Sequence, residues 1–123
     1  MPDARALPTG AALTGAISAA MVRLYAETYG HDRTTATTYI NDNVVVCILE
    51  SILTSSEQQL LTAGGANEVI DGRVAFEADR QDDFSAAVER LTSRRVVAFM
   101  SANQTSPSIA CEMFFLAPIE PRQ

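Results

Sequence analysis

RTTATTYINDNVVVCILESIL, residues 33–53, reads as two β-strands joined by a tight turn. Thr34, Thr35, Thr37, Thr38, Tyr39 and Ile40 lie before the turn, and Val44, Val45, Val46 and Ile48 after it. These are the β-branched and aromatic types that suit a pleated, half-buried surface. Between them sits Asn41-Asp42-Asn43. Asn and Asp tolerate positive φ and bond their own backbone, which marks a turn. A two-residue loop here predicts a type I′ hairpin, without its usual glycine. The hairpin anchors the fold class, but no residue in it announces chemistry.

Upstream, Ala11 to Tyr29 predicts a helix. Leu13, Ile17, Met21, Leu24 and Thr28 recur with helical spacing and make one face. Gly30 is placed to end it in a left-handed conformation, and His31-Asp32 leads into the hairpin. Downstream, Thr54 with Glu57 three residues on is a capping box, in which hydroxyl and carboxylate each take a free backbone N–H. A short helix, Ser55 to Thr62, follows, and Gly64-Gly65 closes it.

The longest helix starts at Ala66 or Asn67 and runs to about Leu91, with Ser93 as its exit. Its apolar stripe is Ile70, Val74, Phe84, Val88 and Leu91, joined by Val69, Phe76 and Ala87. The polar middle, Glu77 to Asp83, either reaches past the core into solvent or holds a kink. Arg95 to Ser101 is a third strand, Asn103 to Ser108 a turn, and Ile109 to Leu116 a fourth strand. Pro118 and Pro121 end it, because proline cannot extend a central strand.

The expected architecture is therefore α+β: helix, hairpin, short helix, long helix, hairpin. Four antiparallel strands form one sheet, with the two long helices packed on one face. Each half is a helix feeding a hairpin. Residues 1–9 and 119–123 read as flexible termini around a single domain, 10–118. Tyr39, Thr35 and Thr37 share a sheet face with Val44, Val46 and Ile48 in one register; if uncovered, that face implies a homodimer.

At 123 residues the chain is one domain of common size. The apolar fraction of 47% fits a globular protein. The net charge is −6, and all nine basic residues are Arg. That balance weighs against nucleic-acid binding and against a polybasic membrane-surface protein. Cys47 and Cys111 lie in apolar strand-like runs, too few for a disulfide framework and without metal-ligand spacing. They read as small buried hydrophobes. Ala11 to Val22 reads as part of an amphipathic helix rather than a signal peptide. No run has the length of an apolar membrane span, so the expected location is the cytoplasm.

Chemistry-bearing motifs are sparse. His31 is the single histidine, at a helix-to-strand junction, and reads as an exposed loop residue. A metal site would need it together with Asp32, Asp42 or Glu50, and no spacing demands that. Gly64-Gly65 is not followed by the Lys-Ser or Lys-Thr of a phosphate loop. The carboxylates at Asp79, Asp82 and Asp83 read as a solvated helix face. Arg94-Arg95, with Arg73 and Arg90, is the most pointed polar feature. Two readings apply: cations at a helix C-terminus, or a site in which planar guanidinium forks take an anion.

The runs TTYINDNVVVCILESILTSSEQQL, LTSRRVVAFMSANQ and ACEMFFL resemble the MpsC-like family, described as the soluble component of a Na⁺-translocating, membrane-potential-generating system. The likeness covers about Gly15 to Pro118. It implies a small cytoplasmic accessory protein near a membrane cation or bicarbonate transport system, and it carries over no catalytic residue. Tyr39, Asp42, Leu53, Thr54, Glu57, Arg95 and Ser101 fit the family pattern. Ser93 departs from it, since relatives tend to have Gly there, and the Lys often found beside Arg in that turn is missing.

The leading expectation is thus a non-enzymatic accessory or regulatory protein, homodimeric, with a membrane transport subunit as partner by resemblance. The alternative is a small-anion or nucleotide sensor using an arginine-lined site. Arg73, Arg94, Arg95, Tyr39 and Asp42 are the candidate ligand- or partner-binding residues. No cofactor, metal or catalytic residue is assigned. An enzyme is disfavoured, for want of an activated nucleophile or cofactor motif.

Overall fold

The β-branched run around Asn41-Asp42-Asn43 forms the expected hairpin: β1 (Thr35–Asn41) pairs antiparallel with β2 (Val44–Glu50), Asn41 opposite Val44. In this computed structural model, which describes residues 7–31 and 33–119, the loop is the two residues Asp42 and Asn43. Asp42 takes the left-handed conformation at φ 53° and Asn43 does not. The loop therefore differs from a type I′ turn, which needs positive φ at both positions.

Ahead of the hairpin runs α1 (Gly10–Tyr29), ended by Gly30 at φ 73°, a left-handed cap that needs no side chain. It buries Ile17, Ala20, Met21 and Tyr25, while Thr28 is exposed. The buried face is thus turned slightly from the expected one and takes in Tyr25. α2 (Ser55–Thr62) starts at the Thr54 capping box, with both of its hydrogen bonds formed. Then α3 (Ala66–Thr92) runs unbroken for 27 residues, about 40 Å.

The face of α3 corrects the expected stripe. Val69, Arg73, Phe76, Glu77, Phe84, Ala87 and Val88 are buried, and Val74 is exposed. The expected stripe followed the most hydrophobic letters, whereas packing follows angular position, which puts Arg73 and Glu77 inside and Val74 outside. The polar middle is divided by the same rule. Asp79, Gln81, Asp82 and Asp83 face solvent, while Glu77 faces the core.

β3 (Val96–Thr105) and β4 (Ser108–Leu116) form the second hairpin. The expected turn over Asn103 to Ser108 is shorter than anticipated: Asn103, Gln104 and Thr105 remain in β3, and Ser106 and Pro107 make the loop. The sheet order is β1-β2-β4-β3, all pairs antiparallel. The two hairpins meet along β2–β4. α1 packs mainly on β1 and α3 on β3, so each half repeats one arrangement.

Period-2 alternation then assigns the faces. Thr38, Val45, Cys47, Leu49, Ala110, Glu112, Phe114 and Leu116 point into the helix-covered core. Tyr39, Val46, Met113 and Met100 form one row across the opposite face, each opposite the next in register.

Ser93, at the α3 exit, is held at φ 58° and donates its backbone N–H to the Glu89 carbonyl. A non-glycine residue there carries a steric cost of roughly 1 kcal/mol. Ser93→Gly is expected to raise unfolding stability by about 1 kcal/mol, less a few tenths for the extra freedom of the unfolded chain. Urea denaturation at constant slope checks this.

Candidate functional site

Four elements carry polar side chains into the apolar core at one place. Tyr25 comes from α1, one and two turns beyond the buried Met21 and Ile17. Glu77 comes from α3, one turn beyond Arg73. Glu112 is an inward position of β4 between Ala110 and Phe114, and Ser101 is its cross-strand partner on β3. Asn103 is the next inward position of β3. Glu112 is 0% exposed and Glu77 is 3% exposed.

The Tyr25 hydroxyl donates to Glu112 Oε2 at 2.5 Å and lies 3.4 Å from Glu77 Oε2. Asn103 Nδ2 donates to Glu77 Oε1 at 2.7 Å. Ser101 Oγ, Asn103 Oδ1 and Glu112 Oε1 are buried without a well-formed hydrogen bond among the described residues. The Tyr25 ring packs against Phe76 and Phe84, which gives the cluster apolar walls.

Beside it lies Arg73, 1% exposed. Its Nε and one terminal nitrogen bind the two Glu57 carboxylate oxygens at 2.9 and 2.6 Å, and that nitrogen also donates to the Ile52 carbonyl. The guanidinium carbon sits 3.6 Å from the Tyr29 ring centroid, a cation–π contact. Glu57 therefore serves two partners, the Thr54 N–H of the capping box and Arg73. Burial pushes its carboxyl up, but Arg73 and the Thr54 hydrogen bonds outweigh it, and the net direction is down.

Arg73 is ion-paired with Glu57, its Nη1 has no hydrogen-bond partner, and neither Glu77 nor Glu112 makes an ion pair among the described residues. Burial, then the neighbouring Glu77 carboxylate, pushes Glu112 up to about 8, so it holds a proton at neutral pH. Burial, then Glu112, also raises the Tyr25 phenol, which stays a donor. The depression between α3 and β3 is lined by Gln81, Asp82, Ser85 and Val96–Phe99, not by the cluster.

The residues singled out by sequence fall in three places. Arg73 is buried as described. Arg94 lies at the far end of α3, roughly 30 Å away by helix rise. It reaches the first hairpin loop, donating to the Asp42 carbonyl, Asn43 Oδ1 and the Ala117 carbonyl. Arg95 is exposed and lines an open depression of about 390 Å³ with Glu89, Ser93 and Arg94. Tyr39 is on the outer sheet face. The structure thus joins Arg94 to Asp42 and separates both from Arg73 and Tyr39.

His31 is half-buried rather than exposed. Its Nε2 lies 3.2 Å from the Ile52 carbonyl and its Nδ1 accepts from the Arg33 N–H, which fits the Nε2-protonated tautomer. Asp32 lies outside the described residues. Among the described residues, no three His, Cys, Asp or Glu side chains are grouped to hold a metal. Sequence reasoning missed Tyr25, Glu77 and Glu112. A usable signal was present in IACEMFFL, where alternation puts Glu112 in line with Ala110, Phe114 and Leu116.

The chain is thus an α+β domain with a one-sided sheet and a buried acidic cluster, and no helix of the described residues is long and apolar enough to cross a membrane. It belongs to the MpsC family: the family model described as "Na+-translocating membrane potential-generating system (MpsC)" matches residues 9–117. No curated protein and no solved structure matches the chain.

Arg73→Ala is expected to cost about 3 kcal/mol or more, because it leaves the partly buried Glu57 carboxylate without its cation and opens a cavity beneath the Tyr29 ring. Arg73→Lys is expected to recover only part of that, since an ammonium cannot form the planar fork. Chemical denaturation of both variants checks this. A second expectation concerns pH. The folded state keeps a proton on Glu112 between about 4.5 and about 8, where the unfolded state has lost it. This group therefore makes stability fall as pH rises through that window and level off above it. Glu57 acts oppositely, losing stability as pH falls below its ordinary range. Glu112→Gln is expected to flatten the decline between about 4.5 and about 8, read as melting temperature against pH.

Proposed function

We propose that this chain is a non-enzymatic accessory subunit of a membrane cation or bicarbonate transport system, working on the cytoplasmic side as a homodimer joined through the outer faces of its sheets. Membership of a family named for Na⁺ translocation supports the transport association. A chain without a spanning helix among its described residues serves such a system by docking.

The observation that carries the dimer is the uncovered sheet face. Tyr39 and Met100 are 60% and 53% exposed at opposite ends of a row completed by Val46 and Met113. The flanking rows bring Val44, Phe115 and Ala98 on one side and Ile48, Cys111 and Ala102 on the other. Soluble monomers rarely leave so large a contiguous apolar patch open.

A second copy is the occupant that fits. Glu50 is the only charged side chain among the outward strand positions, and it lies at one end. Two chains of net charge −6 can therefore meet here without opposing like charges at the centre. In plan the face spans roughly 19 Å by 25 Å from strand spacing and rise. With side-chain relief this is of the order of the ~800 Å² per partner used by a standard interface. A two-fold axis through the Val46–Met113 row would pair the patch with itself.

Light scattering is expected to give the mass of a dimer for the wild-type chain and of a monomer for Met100→Asp, with the far-ultraviolet circular dichroism unchanged. A monomeric wild type at the highest soluble concentration would remove the dimer. Capture of the tagged chain from detergent-solubilised native membranes is expected to enrich a multi-span cation or bicarbonate transport subunit. A preparation free of any such subunit would count against the accessory role.

A further inference from the structure

We propose that the oxygens of Glu77, Glu112, Ser101, Asn103 and Tyr25 form a binding site for a small hard cation, beneath the β3 edge of the sheet. The proposal rests on the interior geometry and stands apart from the transport reading.

The first support is the set of unpartnered oxygens. Among the described residues no well-formed hydrogen bond reaches Ser101 Oγ, Asn103 Oδ1 or Glu112 Oε1, although Ser101 and Glu77 both stand within reach of the Glu112 carboxyl. Ser101 and Glu112 face each other in the β3–β4 register, and Asn103 is two residues on, on the same face. Directly opposite side chains start about 5 Å apart, so these groups enter one small region. Glu112 is 0% exposed, and an unsatisfied carboxylate oxygen at that depth is costly. Asn103 donates its amide nitrogen to Glu77, which fixes the amide and leaves its carbonyl oxygen free to accept.

The second support is charge. Arg73 is already paired with Glu57. Glu77 and Glu112 then form a buried acidic pair whose charge needs a counter-ion. A bound cation supplies one where otherwise a proton must.

The third support is ligand type. The unpartnered atoms of the cluster are carboxylate, amide and hydroxyl oxygens, beside the Tyr25 phenol. One thiol is close, Cys47, which faces Glu112 across β2–β4 and is hydrogen-bonded to Thr38; Cys111 belongs to the outer face, in the row with Ile48 and Ala102. Mixed carboxylate and neutral oxygen donors suit hard cations and not softer transition metals. The route in is short. β3 is an edge strand, and Ser101 and Asn103 are only half-buried on it.

The test uses the full chain in chloride salts of Na⁺, Ca²⁺ or choline at equal ionic strength. Melting temperature is read together with tyrosine fluorescence, which is clean because the chain has three Tyr and no Trp. The expected result is a saturable rise in melting temperature with Na⁺ or Ca²⁺ that choline does not reproduce, accompanied by a change in tyrosine emission. Whichever salt acts at the lower concentration identifies a monovalent or a divalent site. Glu112→Gln and Ser101→Ala are each expected to abolish the ion-specific rise. If Glu112→Gln does not fold, Ser101→Ala decides, because it removes one half-buried hydroxyl at the sheet edge and leaves both carboxyls in place. Melting that follows ionic strength alone, or an ion-specific rise that survives both substitutions, would overturn the site. Neither result depends on whether a membrane partner is captured.

Discussion

The Arg73 guanidinium is the interaction on which the rest of the structure depends. It arrives from the second turn of the longest helix and is spent inside the protein. One fork grips Glu57, the carboxylate that also caps α2, and the same group takes the Ile52 carbonyl where the chain leaves the first hairpin. The aromatic face of Tyr29, at the end of α1, covers it. One charged group thereby fixes α1, the end of β2, α2 and α3 relative to one another. A buried cation is tolerable only when it is well paired; here Nε and one terminal nitrogen are, while Nη1 has no hydrogen-bond partner among the described residues.

That commitment sets the electrostatics of the neighbouring cluster. With Arg73 neutralised by Glu57, Glu77 and Glu112 must be accommodated by the Tyr25 hydroxyl, by Asn103 and by a positive charge from outside the protein, whether proton or ion. Two acids in an apolar core cost stability that a Gln or Leu would not. Their placement at the junction of both long helices and the second hairpin couples any change in their charge to the packing of all three. Glu77 and Arg73, one member of each pair, sit on adjacent turns of α3.

The two faces of the sheet divide the work. The covered face carries the core and its buried polar groups, and it sets how stability responds to pH. The outer face carries almost no charge; Val, Ile, Met, Phe, Ala, Cys and Tyr make up its middle, and Thr35, Thr37, Asn41, Glu50 and Gln104 lie towards its margins. In an antiparallel sheet one face is free to meet water, and polar residues normally occupy it. Here much of the outward face of β2, β4 and β3 is apolar as well, while β1 presents Thr35, Thr37 and Asn41 beside Tyr39.

The amino-acid sequence by itself determined the element order, the hairpin at residues 33–53, the Thr54 capping box and the Gly30 helix end. All of these depend on residues close together in the chain, through propensity, turn chemistry and local hydrogen bonds. It also held the MpsC family likeness. Only the tertiary structure decided which residues matter at a distance. Glu77 reads locally as part of a polar helix segment and Arg73 as one of a group of arginines with Arg94 and Arg95, because nothing within a few residues reveals their angular position relative to a sheet formed elsewhere. Tyr25 and Glu112 are 87 residues apart, and their hydrogen bond exists only because α1 and β4 pack on the same core. Arg94 and Arg95 are neighbours in sequence, yet one is bound by the first hairpin and the other is left in solvent. The outer sheet face follows from alternation only once the register is known, and register is set by which strands pair, a choice made by the packing of the whole chain.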